Sequence, residues 1–141
     1  MKHYKYLWAF ISIFLMLIAG CSNGIEIEGD KILVQKRVGE ENEYEHFKEI
    51  TDKGTVQKVK DILESTRWEN AEVSMAYPPH YKFRFEGNNE QSELIYDLWI
   101  SPNKDKVELV IEGEGKYVQL SKSKSAKLFE TITGIRLSDV E

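Results

Sequence analysis

The sequence predicts an α+β domain, a two-layer sandwich in which an antiparallel β-meander sheet is packed by two amphipathic helices. Three observations lead there. Between Tyr81 and Leu120, four segments alternate apolar with polar residues and are separated by short turn sequences. Two other stretches, around Val56 to Leu63 and Leu128 to Ile132, repeat apolar residues at three- and four-residue spacing. The rest of the chain shows no repeat and no low-complexity tract that would build a further domain.

Residues 1–20 are expected to be a signal peptide and to be removed. Lys2, His3 and Lys5 give a positive start that stays on the cytoplasmic side. Leu7 to Ile18 is an apolar run of about a dozen residues, the length of a signal core, whereas a spanning helix needs roughly 20. Ala19 and Gly20 are small, as a peptidase needs beside its cut, and Cys21 follows them. Ile18-Ala19-Gly20-Cys21 resembles the lipobox of bacterial lipoproteins. That resemblance implies a diacylglyceryl group on the Cys21 thiol, cleavage before it, and Cys21 as the first residue of the mature protein. An uncleaved anchor and a plain secretory signal are the alternatives. Charge, core length, small residues and cysteine together favour the lipoprotein. Two long acyl chains make a stable anchor, since each buried methylene contributes about 0.8 kcal/mol and a single myristoyl chain binds only marginally.

Residues 21–30 then form a lipidated cysteine and polar tether, 31–134 a single domain, and 135–141 a C-terminal tail. Removing Lys2 and Lys5 takes the formal net charge from −5 to about −7. An acidic surface argues against nucleic acid and against an anionic bilayer as partners, because both need clustered Lys and Arg. Cys21 is the only cysteine. Once it is lipidated, neither a disulfide nor thiolate chemistry is available.

Within the domain, Ile25 to Glu28 and Ile32 to Val38 read as extended segments that pair across Gly29-Asp30. Glu40, Glu41, Glu43 and Glu45 form an acidic stretch, followed by the apolar pair Phe47 and Ile50. Val56, Val59, Ile62 and Leu63 mark the first helix, with Thr55 or Asp52 placed to cap it and an end near Ser65 to Arg67. Residues 69–80 read as an irregular or edge segment, since Pro78-Pro79 stops any ladder. Tyr77-Pro78 is a candidate cis bond. Tyr81, Phe83 and Phe85 alternate with charged residues, and Gly87-Asn88-Asn89 turns the chain. Leu94, Tyr96, Leu98 and Ile100 alternate with Ile95, Asp97 and Trp99. Val107, Leu109 and Ile111 follow the Ser101-Pro102-Asn103 turn, and Lys116 to Leu120 closes the meander. Ser121 or Ser123 caps the second helix, and Gly134 sits where a left-handed C-cap belongs.

The order of these elements resembles a second family. An amino-terminal extended pair, a helix, a polar segment ending in Tyr77-Pro78, and a meander containing Tyr96-Asp97-Leu98-Trp99-Ile100 are similar to the YhfM-like group of small bacterial lipoproteins. The likeness covers roughly residues 30–134 and rests on pattern. It implies this fold and an envelope location, and it carries over no functional residue except Cys21.

Chemical motifs are scarce. His46 and His80 lie in no metal-ligand spacing, so neither a zinc site nor any cofactor is expected. No Gly-x-Ser-x-Gly elbow occurs, and Ser121, Ser123 and Ser125 read as helix-start residues. The acidic stretch lacks the alternation and the glycine of a calcium loop. No catalytic residue is assigned. Paired carboxylates for glycoside cleavage are defined in space and leave no pattern in sequence.

One constellation is a candidate binding surface. Trp68, Tyr77 and Trp99, with Pro78, Pro79 and His80, place aromatics around an irregular connection, and Trp99 falls on the sheet face opposite Leu98. The competing structural explanation is that the tryptophans cover core edges or the reverse of the sheet. The expected function is a non-catalytic binding or interaction module, lipid-anchored to the cell membrane outside the cytoplasm, with an envelope protein or peptide as partner. The alternative is a small envelope hydrolase or enzyme inhibitor.

Overall fold

Strict apolar alternation sets the centre of the sheet. The computed structural model describes residues 27–87 and 94–141. The expected lipobox with Cys21, the start of the expected tether and most of the Gly87-Asn88-Asn89 turn lie outside them. The elements in chain order are β1 (Lys31–Arg37), β2 (Tyr44–Ile50), α1 (Lys53–Glu64), β3 (Glu69–Asn70), β4 (Tyr81–Glu86), β5 (Ile95–Ile100), β6 (Val107–Ile111), β7 (Lys116–Gln119) and α2 (Lys122–Thr133). Among the described residues seven antiparallel strands form one open sheet in the order β2-β1-β4-β5-β6-β7-β3. The α+β sandwich and its four-strand meander are therefore as the sequence predicts.

One face of this sheet is the core. Tyr81, Phe83 and Phe85 of β4, Tyr96, Leu98 and Ile100 of β5, and Val107, Leu109 and Ile111 of β6 are all buried. Val56, Val59, Ile62 and Leu63 of α1 join them in one cluster with Leu128, Phe129 and Ile132 of α2. Phe83 and Tyr96 stack with centroids 5.0 Å apart, and the Phe129 ring meets Tyr81 edge-on at 5.4 Å.

The helix ends follow local chemistry. Asp52 caps α1 by accepting the Thr55 backbone N–H at 2.8 Å, and Ser121 caps α2 by accepting that of Lys124. Gly134 ends α2 with φ 76°, and its N–H donates to the Glu130 carbonyl at 2.8 Å. Residues 135–141 continue the fold. Leu137, in a short 3-10 turn over Leu137–Asp139, is buried, and Ile135 and Val140 pack against the core.

The amino-terminal pairing differs from the expected one. Ile25 and Glu26 lie outside the described residues, and Ile27 and Glu28 are not in a strand. The partner of β1 is β2, the segment that reads in sequence as an acidic stretch and an apolar pair. A register shift between Val34 and Gln35 breaks the two-residue period of the pair, so the apolar residues of β2 fall out of phase. As the sheet's edge, β2 also carries the charged residues Glu45, Lys48 and Glu49, which blunt pairing with other chains. The chain before β1 is instead held by backbone contact. The Asp30 N–H donates to the Glu86 carbonyl at 3.0 Å, and a Cβ on Gly29 would sit 2.8 Å from that oxygen.

Residues 69–80 split into two parts. Glu69 and Asn70 pair with Tyr117 and Lys116 as the far edge strand. The remainder runs from Ala71, whose N–H donates to the Gly115 carbonyl, to His80, whose N–H donates to that of Leu98. It therefore passes from one end of the strands to the other. The Tyr77–Pro78 bond is trans.

Candidate functional site

Strand alternation assigns Arg37, Lys82, Arg84, Asp97, Trp99 and Glu108 to the face opposite the core. At the end of this face near Ile100, the segment Tyr77–His80 is fastened at every residue. The Trp99 indole N–H donates to the Tyr77 carbonyl at 2.9 Å. The Arg37 guanidinium donates to the Pro78 carbonyl, and the Tyr44 hydroxyl donates to that of Pro79 at 2.7 Å. The Ile100 backbone N–H donates to His80 Nδ1 at 3.0 Å.

These bonds decide the fate of the three expected surface aromatics. Trp99 lies on the outer face as predicted, yet it is only 6% exposed, so it offers no open aromatic platform. Its indole N–H is bonded where the chain returns at Tyr77. Tyr77 itself is 48% exposed, with its ring edge-on to His80 at 5.7 Å. Trp68 belongs to the other layer. Its indole N–H donates to the Leu63 carbonyl at the end of α1, and its ring lies 6.1 Å from Tyr96. The structure thus joins Tyr77 to Trp99 and leaves Trp68 at the edge of the core.

Beside this segment lies a charge cluster that the sequence reading missed. Lys82 and Asp97 face each other across β4 and β5. The Lys82 ammonium stands 3.4 Å from Asp97 Oδ1, forms an ion pair with Glu112, and lies 4.9 Å from the Tyr44 ring centroid. Burial pushes the Asp97 carboxyl up to about 7. Lys82 opposes that rise and Glu112 adds to it. For Lys82, burial favours the neutral form, but the hydrogen bond to Glu112 and the charge of Asp97 outweigh it and the net direction is upward. The one signal in sequence was an acid flanked at two-residue spacing by Ile95 and Trp99.

His80 is held below its ordinary range by burial and then by the Arg37 charge. Its Nδ1 is occupied by a backbone N–H, while His46 sits exposed on β2. Among the described residues, no group of three or more His, Asp or Glu side chains is placed to hold a metal ion.

No curated protein and no solved structure matches the chain. A family model described as YhfM protein matches residues 25–138, a span that takes in every described strand, both helices, the Tyr77–His80 segment and the Lys82 cluster. By that match the chain belongs to the YhfM family.

Proposed function

We propose that the protein is a lipoprotein held on the outer side of the cell membrane by acyl chains on Cys21, and that its domain is a non-catalytic module binding a protein or peptide of the envelope. The observation that carries the anchor is Cys21 directly after Ile18-Ala19-Gly20, at the end of a charged start and a short apolar core. Support for a binding role comes from how the polar groups are employed. His80 is spent on a backbone N–H, Lys82 on two carboxylates, and Tyr44 and Arg37 on carbonyls of one segment. That segment leaves Tyr77 as a half-exposed aromatic beside prolines, a pairing of rigidity and apolar area suited to contact with a partner.

Metabolic labelling with a palmitate-like probe tests the anchor. The full chain takes up label and sediments with membranes, and Cys21→Ala does neither. Equal labelling of both forms would overturn the anchor. Crosslinking in intact cells tests the module. Tyr77→Ala is expected to lose a crosslinked partner while keeping its melting temperature, and an unchanged crosslinking pattern rejects Tyr77 as a contact.

A further inference from the structure

Backbone bonds hold His80 through its N–H to the Leu98 carbonyl and its carbonyl to the Arg37 N–H. Of the four bonds to Tyr77–His80 that involve a side chain, three use donors that keep their protons at all ordinary pH values: an indole N–H, a guanidinium and a phenol. The fourth does not. A backbone N–H is always a donor, so the Ile100 N–H fixes His80 Nδ1 as a bare acceptor and leaves the ring proton on Nε2. A proton taken up at Nδ1 turns that acceptor into a donor and sets two N–H groups against each other across 3.0 Å. It also adds a positive charge beside Arg37, whose guanidinium grips the next carbonyl but one along the chain, that of Pro78.

The titratable and charged groups on the surrounding elements give no relief. They are Arg37 on β1, Tyr44 on β2, Lys82 on β4 and Asp97 on β5, with Glu112 just after β6. The two carboxylates are already shared with Lys82. We infer that Tyr77–His80 is an acid-released clasp, which covers Trp99 while His80 is neutral and uncovers it when His80 Nδ1 takes up a proton. The inference does not depend on the lipid anchor or on any partner. It gives the domain two states of one surface, one with Trp99 buried and one with its ring and indole N–H presented to solvent.

Hydrogen exchange of the indole N–H groups in the full chain tests this. The Trp68 indole, bonded to the Leu63 carbonyl in the other layer, serves as internal reference. Between about pH 7.5 and about pH 5, Trp99 protection relative to Trp68 is expected to fall about tenfold. In His80→Asn the side-chain oxygen can still accept from Ile100 and cannot take up the proton, so the ratio is expected to stay constant. A constant ratio in the unmodified protein, or an equal fall in His80→Asn, would overturn the clasp. The second result would assign the change to Asp97 and Glu112. Ring-nitrogen NMR of His80 in the unmodified protein gives a check that needs no variant. A bare Nδ1 at neutral pH that gains a proton as Trp99 loses protection supports the clasp. An Nδ1 that already carries a proton at neutral pH, or a ring that stays neutral through the acid range, refutes it.

Discussion

Asp97 shows how one residue can set the pH response of a whole domain. Its carboxyl is buried opposite Lys82 and pushed up to about 7, so between its ordinary value of 3.8 and about 7 the folded chain binds a proton that the unfolded chain does not. Stability from this group is therefore present at low pH and lost as pH rises through that window. His80 acts in the opposite sense. Its folded value lies below the ordinary 6.5, so its contribution is lost as pH falls through and below that point. Asp97→Asn keeps the shape of the protonated carboxyl and removes the charge. The variant is expected to melt a few degrees above the unmodified chain at about pH 8 and to converge with it at about pH 5. Parallel melting curves across that range would show that Lys82 fully offsets the buried charge. The sequence placed Asp97 and Trp99 on the right face but gave no sign that either was buried. Their burial depends on where residues 71–80 cross, and a segment without periodicity carries no record of its path.

The joint between α2 and the sheet depends on a serine that resembles an ordinary helix-start residue. Ser125 is fully buried, accepts the Val107 N–H of β6 at 2.9 Å and donates to the Leu120 carbonyl at 3.3 Å. Replacing it with alanine leaves the buried Val107 N–H unpaired, a loss of about 1–3 kcal/mol. Ser123→Ala, at an exposed position two residues earlier, is expected to change stability by less than about 0.5 kcal/mol. Equal effects in chemical denaturation would refute the structural role of Ser125. Elements with a clean period were readable in advance. The Val56 to Leu63 stripe, the Tyr81 to Phe85 alternation and the Gly134 cap all appear where the sequence put them. What escaped was β2, because a register shift and edge-strand charges erase its alternation, and β3, because two residues are too few to show any. The Lys82 cluster escaped for a related reason. Its members are 15 residues apart in sequence at each step, from Lys82 to Asp97 to Glu112, and only strand pairing brings them together.

At the scale of the whole molecule, the two faces of the sheet are unequal. The inner face shares one apolar cluster with both helices, whereas the outer face is tied by the clasp and by ion pairs. A domain with one core is expected to unfold in a single step, because neither helix can leave without exposing the β4 and β5 aromatics. Trp68 and Trp99 report the two layers separately, one against Tyr96 beside α1 and the other under the Tyr77 carbonyl. Urea unfolding of the full chain at neutral pH can be followed by Trp68 fluorescence in a Trp8→Phe, Trp99→Phe variant and by Trp99 fluorescence in a Trp8→Phe, Trp68→Phe variant. Each substitution shifts stability, so each midpoint is compared with that from far-ultraviolet circular dichroism of the same variant. Coincident curves within each variant are expected at neutral pH. A Trp99 transition that precedes the loss of secondary structure would mean that the clasp opens without acid, which separates the outer face from the core as an independent unit. Repeating the Trp99 measurement at about pH 5 completes the comparison. If His80 holds the clasp, only there should the Trp99 signal change before the sheet unfolds.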